Sequence, residues 1–320
     1  MIYPVDFENK IDFTDIRQQL LQKCDSSLGT ELVDRLTFIN DYSVLLPLQQ
    51  QLREMLSVLS DASLEFPNIT IYDMRDSLSR IKVEGLFLDE QELFMLRKAL
   101  AAAGAYEHFF TTLPEDRFPV LSHTFTSQLA RPLASIITRI TSVIDQYGKM
   151  RDNASPELSQ IRRALQQAQG AVGRVLNSIL RQAQAEGLID KDVVPTLREG
   201  RLVLPVPPAY KRKIGGIVHD ESASGKTVFI EPQQAVEANN RIRELENDER
   251  REKIRILIAI TAELKPFIPD ILLSQDLLAK VDFLRAKTLL AIDMAAIAPE
   301  MVNTPTLRWV DAKQIGRAHV

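Results

Sequence analysis

Eight consecutive residues, ENDERREK (Glu246–Lys253), carry no apolar side chain, yet they lie inside a stretch that otherwise reads as one helix from Gln233 to Leu264. At 1.5 Å per residue such a helix is about 50 Å long. Ala235, Val236, Ile242 and Leu245 form an apolar stripe before the run; Ile254, Leu257, Ile258, Thr261 and Leu264 form one after it. A helix packed on a core does not go two turns without an apolar contact. The run is therefore expected to cross solvent and to join two packed regions. That expectation sets the architecture: a helical body built from both ends of the chain, with an arm between them that runs out and returns.

The outer thirds read as helices. Phe13, Ile16, Leu20 and Cys24 recur at helical spacing, with Asp12 or Thr14 available as a cap. A second helix is expected within Ser26–Phe38. A third is expected within Tyr42–Asp61, with Leu48, Leu52, Met55, Leu56 and Leu59 on one face and Pro47 near its first turn. A short helix covers Met74–Ile81 and ends near Gly85. The helix after Asp89 has a cap and acids in its first turn, where the helix dipole favours them. A last helix carries Leu277, Val281, Leu284, Thr288 and Ala291 on one face.

The middle is the most periodic part. Leu158, Ile161, Leu165, Ala168, Val172, Val175 and Ile179 step by three and four, as in an a/d seam. Ser155 is the expected cap and Pro156 the first helical residue. The expected antiparallel partner lies in Pro132–Gly148, where Ile136, Ile140, Val143 and Tyr147 form a matching stripe. The period then changes. RLVLPVP, KIGGIVHD and KTVFIEP are short and rich in strand formers, and they predict a small antiparallel sheet. The fold class is mainly α, with long helices and this sheet at a tip.

Within the last two strands stands Gly225-Lys226-Thr227, the closing letters of a phosphate-binding loop. Such a loop needs a glycine five positions earlier and a helix after it. Here Asp220 occupies the first place and the strand-forming Val228, Phe229 and Ile230 follow. The stretch DESASG is read as a hairpin turn, with Lys226 beginning a strand.

Composition removes several other classes. One cysteine, Cys24, excludes a disulfide framework and a cysteine-based metal site. The four histidines, His108, His123, His219 and His319, have no metal-binding spacing. The start MIYPVDFENK has no signal-peptide pattern, and no stretch approaches a membrane span, so a cytoplasmic protein with no membrane partner is expected. No nucleophile–base set has local support, so no catalytic residue is assigned. The neighbours His219, Asp220 and Glu221 read either as an acid–base or metal group or as ordinary hairpin polarity.

The net charge is −4, so a nucleic-acid surface would have to be local. One such cluster exists. Arg198, Arg201, Lys211, Arg212 and Lys213 stand against the single acid Glu199, with Tyr210 among them. Cations so placed neutralise phosphates without reading bases. The competing reading is that they blunt the edges of the sheet against unwanted pairing.

The residues Gly216–Asp220, Ser222–Gly225, Thr227, Phe229–Pro232, Asn239, Asn240 and Ile242–Glu246 resemble the signature of the MutS family, in its second bacterial branch, the recombination-suppressor type. Ala154–Arg163, Ser26–Leu32 and Tyr72–Ile81 carry the same resemblance, which covers about residues 1 to 310. It implies a core, lever and clamp region: residues 1–125 as core and first lever part, 126–231 as arm and clamp-like tip, and 232–314 as long lever helix and return. It also implies that the tip binds double-stranded or branched DNA. In that family a dimeric ATPase follows, and a nuclease-type domain follows later. The resemblance thus implies a homodimer in full-length form, with ATP and magnesium bound outside this segment and no cofactor within it. Members of the branch are also linked to stalled ribosomes, so a module gripping a ribosome or protein surface is the alternative. Residues 315–320, IGRAHV, depart from the pattern and are read as a non-native tail.

Overall fold

The computed structural model describes residues 6–126 and 133–308; the expected tail at 315–320 lies outside them. It confirms a mainly α-helical protein with one small antiparallel sheet. The chain forms two compact units. One contains the residues up to Lys149 and those from Ile260 on; the other is Met150–Ala259.

The first unit begins with α1 (Phe7–Lys10), α2 (Phe13–Lys23), α3 (Ser27–Asp34), α4 (Tyr42–Ser60) and α5 (Arg75–Arg80). It continues with α6 (Glu90–Thr112), α7 (Pro119–Thr126) and α8 (Ala134–Val143). The expected helices are all present. Asp89 caps α6 in a reciprocal capping box with Glu92, at 2.8 and 3.0 Å. Asp12 precedes α2 in a left-handed conformation and makes no side-chain cap.

The expected face of α4 is corrected in part: Met55 is buried and Leu52, Leu56 and Leu59 are half-buried, but the centre of the buried side is shifted. Leu48 is exposed, Pro47 sits inside the helix, and the buried residues are Glu54, Met55 and Val58. The cause is a carboxylate. Glu54 accepts from the backbone N–H groups of Val120 (3.0 Å) and Leu121 (2.8 Å) at the start of α7. Those groups have no partner within their own helix, and an anion there also meets the positive end of the helix dipole.

The second unit starts with α9 (Pro156–Ala185), capped by the Ser155 hydroxyl, which accepts from Leu158 N–H at 3.0 Å. The strands are β1 (Thr196–Arg198), β2 (Arg201–Val206), β3 (Gly216–Glu221) and β4 (Val228–Pro232), in the order β1-β2-β4-β3 and all antiparallel. Strand β1 lay outside the sequence expectation. Between β2 and β3 lie a 3-10 turn, Pro208–Tyr210, and the one-turn helix α10 (Lys211–Ile214), which replaces the expected strand start at Lys213. The sheet's inner face, Leu204, Val206, Val228 and Ile230, packs on Val172, Leu176, Leu180 and Ala183 of α9. Ala235 and Ile242 of α11 (Gln233–Leu264) complete that core.

Two expectations for this unit are corrected. The partner of α9 is α11, while α8 packs on α6. Tyr147, expected in the seam, is 73% exposed. The run Glu246–Lys253 is also not a bare crossing. Glu249 accepts from Arg162 Nε on α9 at 2.8 Å, and Glu252, 5% exposed, accepts from the Ser155 hydroxyl at 2.6 Å. Ile242, Leu245, Glu249, Glu252 and Ile256 thus form one continuous stripe, in which two carboxylates hold positions that apolar residues usually fill. Ile254 and Ile258, expected in the stripe, are exposed.

Finally α12 (Ile268–Asp293) returns through the first unit, buried on several sides against α2, α3, α4, α5 and α6. Leu277, Val281, Leu284 and Thr288 are buried, as the spacing predicts. Its polar residues close gaps in the N-terminal helices. Asp282 accepts from the N–H groups of Asp25 and Ser26, each at 2.9 Å, and Gln275 accepts from Met74 N–H at 2.9 Å.

Candidate nucleic-acid interface

The five cations singled out in the sequence fall into two sets. Arg201 points into the sheet. Its guanidinium donates to Glu231 Oε1 at 2.7 Å and to Asn240 Oδ1 at 2.8 Å, and its side chain is 15% exposed. Arg198 lies 4.3 Å over the Phe229 ring, with Nε 3.6 Å from Asp220. Arg201 is thus committed to partners in the sheet and α11, while Arg198 is drawn to the sheet but keeps a half-exposed side chain. Lys211, Arg212 and Lys213 fill the single turn of α10, all exposed, and none makes an ion pair among the described residues. Lys213 Nζ lies 5.9 Å from the Tyr210 ring. The sheet therefore presents three adjacent unneutralised cations rather than five.

Arg201 is drawn away by a group that sequence reasoning treated as ordinary strand polarity. Glu231 has no solvent exposure. It receives Arg201 and, at 2.8 Å, the Asn239 amide on one oxygen; the other is 2.6 Å from His219 Nε2. Burial pushes the Glu231 carboxyl upward, but the hydrogen bonds from His219, Asn239 and Arg201 outweigh it and hold the group below the usual glutamate value. An ionised carboxylate only accepts, so the His219 proton sits on Nε2. His219 reaches this position because β3 bulges. Val218 pairs with Ile230 and Asp220 with Phe229, leaving His219 as the extra residue.

The asparagine pair joins the same network, and its Asn239 amide also meets both backbone groups of Leu202. His219, Glu231, Asn239 and Asn240, all carriers of the family resemblance, thus tie the sheet to α11. Among the described residues no cluster of histidine, cysteine, aspartate and glutamate could hold a metal ion. The Gly225-Lys226-Thr227 letters lie in the β3–β4 turn. Ser222 N–H donates to Thr227 O, Gly225 N–H donates to Ser222 O, and Gly225 takes a φ of +66°. A strand follows, from Val228, two residues later than expected. No helix among the described residues is long and apolar enough to cross a membrane.

Fold and site together define a mainly α-helical protein whose small sheet carries an exposed basic turn. No family model matches the chain. Individual relatives do: over the span it covers, the chain is similar to proteins named endonuclease MutS2. It is 33% identical over 95% of its length to endonuclease MutS2 of Geobacillus sp. (strain WCH70) and 33% identical over 92% to endonuclease MutS2 of Alkaliphilus oremlandii. It is 34% identical over 92% to endonuclease MutS2 of Ruminiclostridium cellulolyticum. The chain spans only 37–38% of the length of these relatives.

Proposed function

We propose that this chain is the nucleic-acid-binding segment of a MutS2-like protein that acts on DNA, and that it holds the phosphate backbone through Lys211, Arg212 and Lys213. The observation that carries this reading is the row of three exposed, unpaired cations on α10, in a chain of net charge −4. Each cation that meets a phosphate releases condensed counterions, giving affinity without sequence preference. Arg198 and Arg201 brace the sheet itself, through Phe229 and Asp220 and through Glu231 and Asn240. The segments 1–125, 126–231 and 232–314 take the roles of core, clamp-bearing arm and return lever. ATP, magnesium, the nuclease chemistry suggested by the relatives' name and the main homodimer contact belong to the rest of such a protein.

The test is a salt titration of binding to duplex and branched DNA, with Lys211, Arg212 and Lys213 all changed to Glu. Affinity should fall for every sequence, and the log–log salt slope should flatten by about one unit per lost phosphate contact. Ribosomal particles form a second arm, since their phosphates offer the same chemistry. Unchanged affinity and slope in the variant would remove α10 from the interface.

A further inference from the structure

Strand β3 is an edge of the sheet, with β4 on one side only. Its centre is apolar and open: Ile217 is 47% exposed and Val218 43%. Such an edge presents unpaired backbone donors and acceptors that another strand can complete. Its charges are asymmetric. The cations Lys211, Arg212 and Lys213 stand before it, and Asp220 and Glu221 close it. Glu221 makes no ion pair among the described residues, and Asp220 makes a long one to Arg198.

We propose that β3 is a homotypic interface, its free edge pairing antiparallel with the β3 edge of a second copy of this chain. Charge complementarity selects that occupant. An antiparallel self-pair centred on Ile217 sets the basic end of each copy beside the acidic end of the other. Ile217 meets Ile217 of the second copy at the twofold axis, since side chains directly opposed across an antiparallel pair share one face. A parallel self-pair would bring like charges together. A charged edge ordinarily repels its own copy; this one is attractive in one orientation only. The bulge at His219 interrupts the six-residue strand, so the regular contact is shorter than the strand's full length of about 20 Å and the association is weak and salt-sensitive.

This inference goes beyond the phosphate-binding reading, and one substitution separates the two. Val218→Lys places a charge at the centre of the edge. It should abolish self-pairing and leave phosphate binding intact or stronger. Sedimentation velocity of the chain, over rising concentration and at two salt levels, should show a reversible dimer that Val218→Lys weakens by about tenfold or more. Two further chains supply the decisive mixture. One carries Lys211→Glu, Arg212→Glu and Lys213→Glu; the other carries Asp220→Lys and Glu221→Lys. Each alone should stay monomeric, and mixed they should form a one-to-one heterodimer. Circular dichroism checks that all variants are folded. A chain that is monomeric at every concentration overturns the proposal, as does a dimer insensitive to Val218→Lys or a mixture that fails to associate. Pairing of β3 with an unrelated extended peptide, without self-association, would also overturn it.

Discussion

The side-chain amide of Asn239 occupies the place of a strand residue opposite Leu202. Its Oδ1 accepts from Leu202 N–H at 3.3 Å and its Nδ2 donates to Leu202 C=O at 3.1 Å. Strands β2 and β4 pair through Leu204 and Ile230, so the next pair outward would bring Leu202 opposite Pro232. Proline has no N–H to give. One amide from α11 therefore meets both backbone groups of Leu202, including the carbonyl that a proline N–H could not serve.

Replacing Asn239 by Ala should strand both groups of Leu202 and remove one donor from Glu231. Buried groups left unpaired cost about 1–3 kcal/mol. Urea unfolding should show that loss, and the Leu202 amide should exchange faster than those of Leu204 and Val206. A variant of unchanged stability would mean that water replaces the amide.

Glu231 predicts a pH dependence. Its folded-state proton affinity is depressed, because the donors from His219, Asn239 and Arg201 outweigh the burial that raises it. The charged group thus adds stability above the ordinary glutamate value, about pH 4.3, and that stability is lost as pH falls below it. Glu231→Gln should lower stability at neutral pH by roughly 3 kcal/mol, since it leaves Arg201 without its counter-charge. The gap between the two melting curves should narrow below about pH 4.3. A constant gap from neutral to acid would contradict an ionised Glu231.

Gly29 leaves room for Asp282. A Cβ at residue 29 would overlap that carboxylate, which holds the start of α3 through Asp25 and Ser26. Gly29→Ala should displace Asp282 and cost about 2–3 kcal/mol, the worth of hydrogen bonds to a charged group. Differential scanning calorimetry would read the lowered melting temperature. No shift would show that α3 moves aside freely.

What the sequence made legible was local. Ser155 before Pro156, Asp89 with Glu92, and the stepping of Leu277, Val281, Leu284 and Thr288 each act within a few residues, and each appears in the structure. What it hid were carboxylates with distant partners. Glu54 meets α7 across 66 residues, Asp282 meets Ser26 across 256, and Glu249 meets Arg162 across 87. Periodicity counts such residues as solvated, so it misses Glu54 on the buried side of α4 and the carboxylate contacts of the run after Leu245. At the candidate interface the three cations of α10 were legible as neighbours. The withdrawal of Arg201 was not, because Glu231 lies 30 residues on and only the folded sheet brings them together.

The path of α12 also sets an order of events during synthesis. Residues Met150–Ala259 are continuous and carry their own core, so they can fold as soon as they leave the ribosome. The helices up to Val143 must wait, because the segment that fills their centre and holds the start of α3 is translated more than a hundred residues later. At typical elongation rates that delay is on the order of ten seconds. During it, apolar faces bearing Leu20, Val33, Met55 and Leu96 stand without their central helix. These helices are thus made before residues 150–259 but protected after them, and chaperone demand should peak before residue 293 emerges.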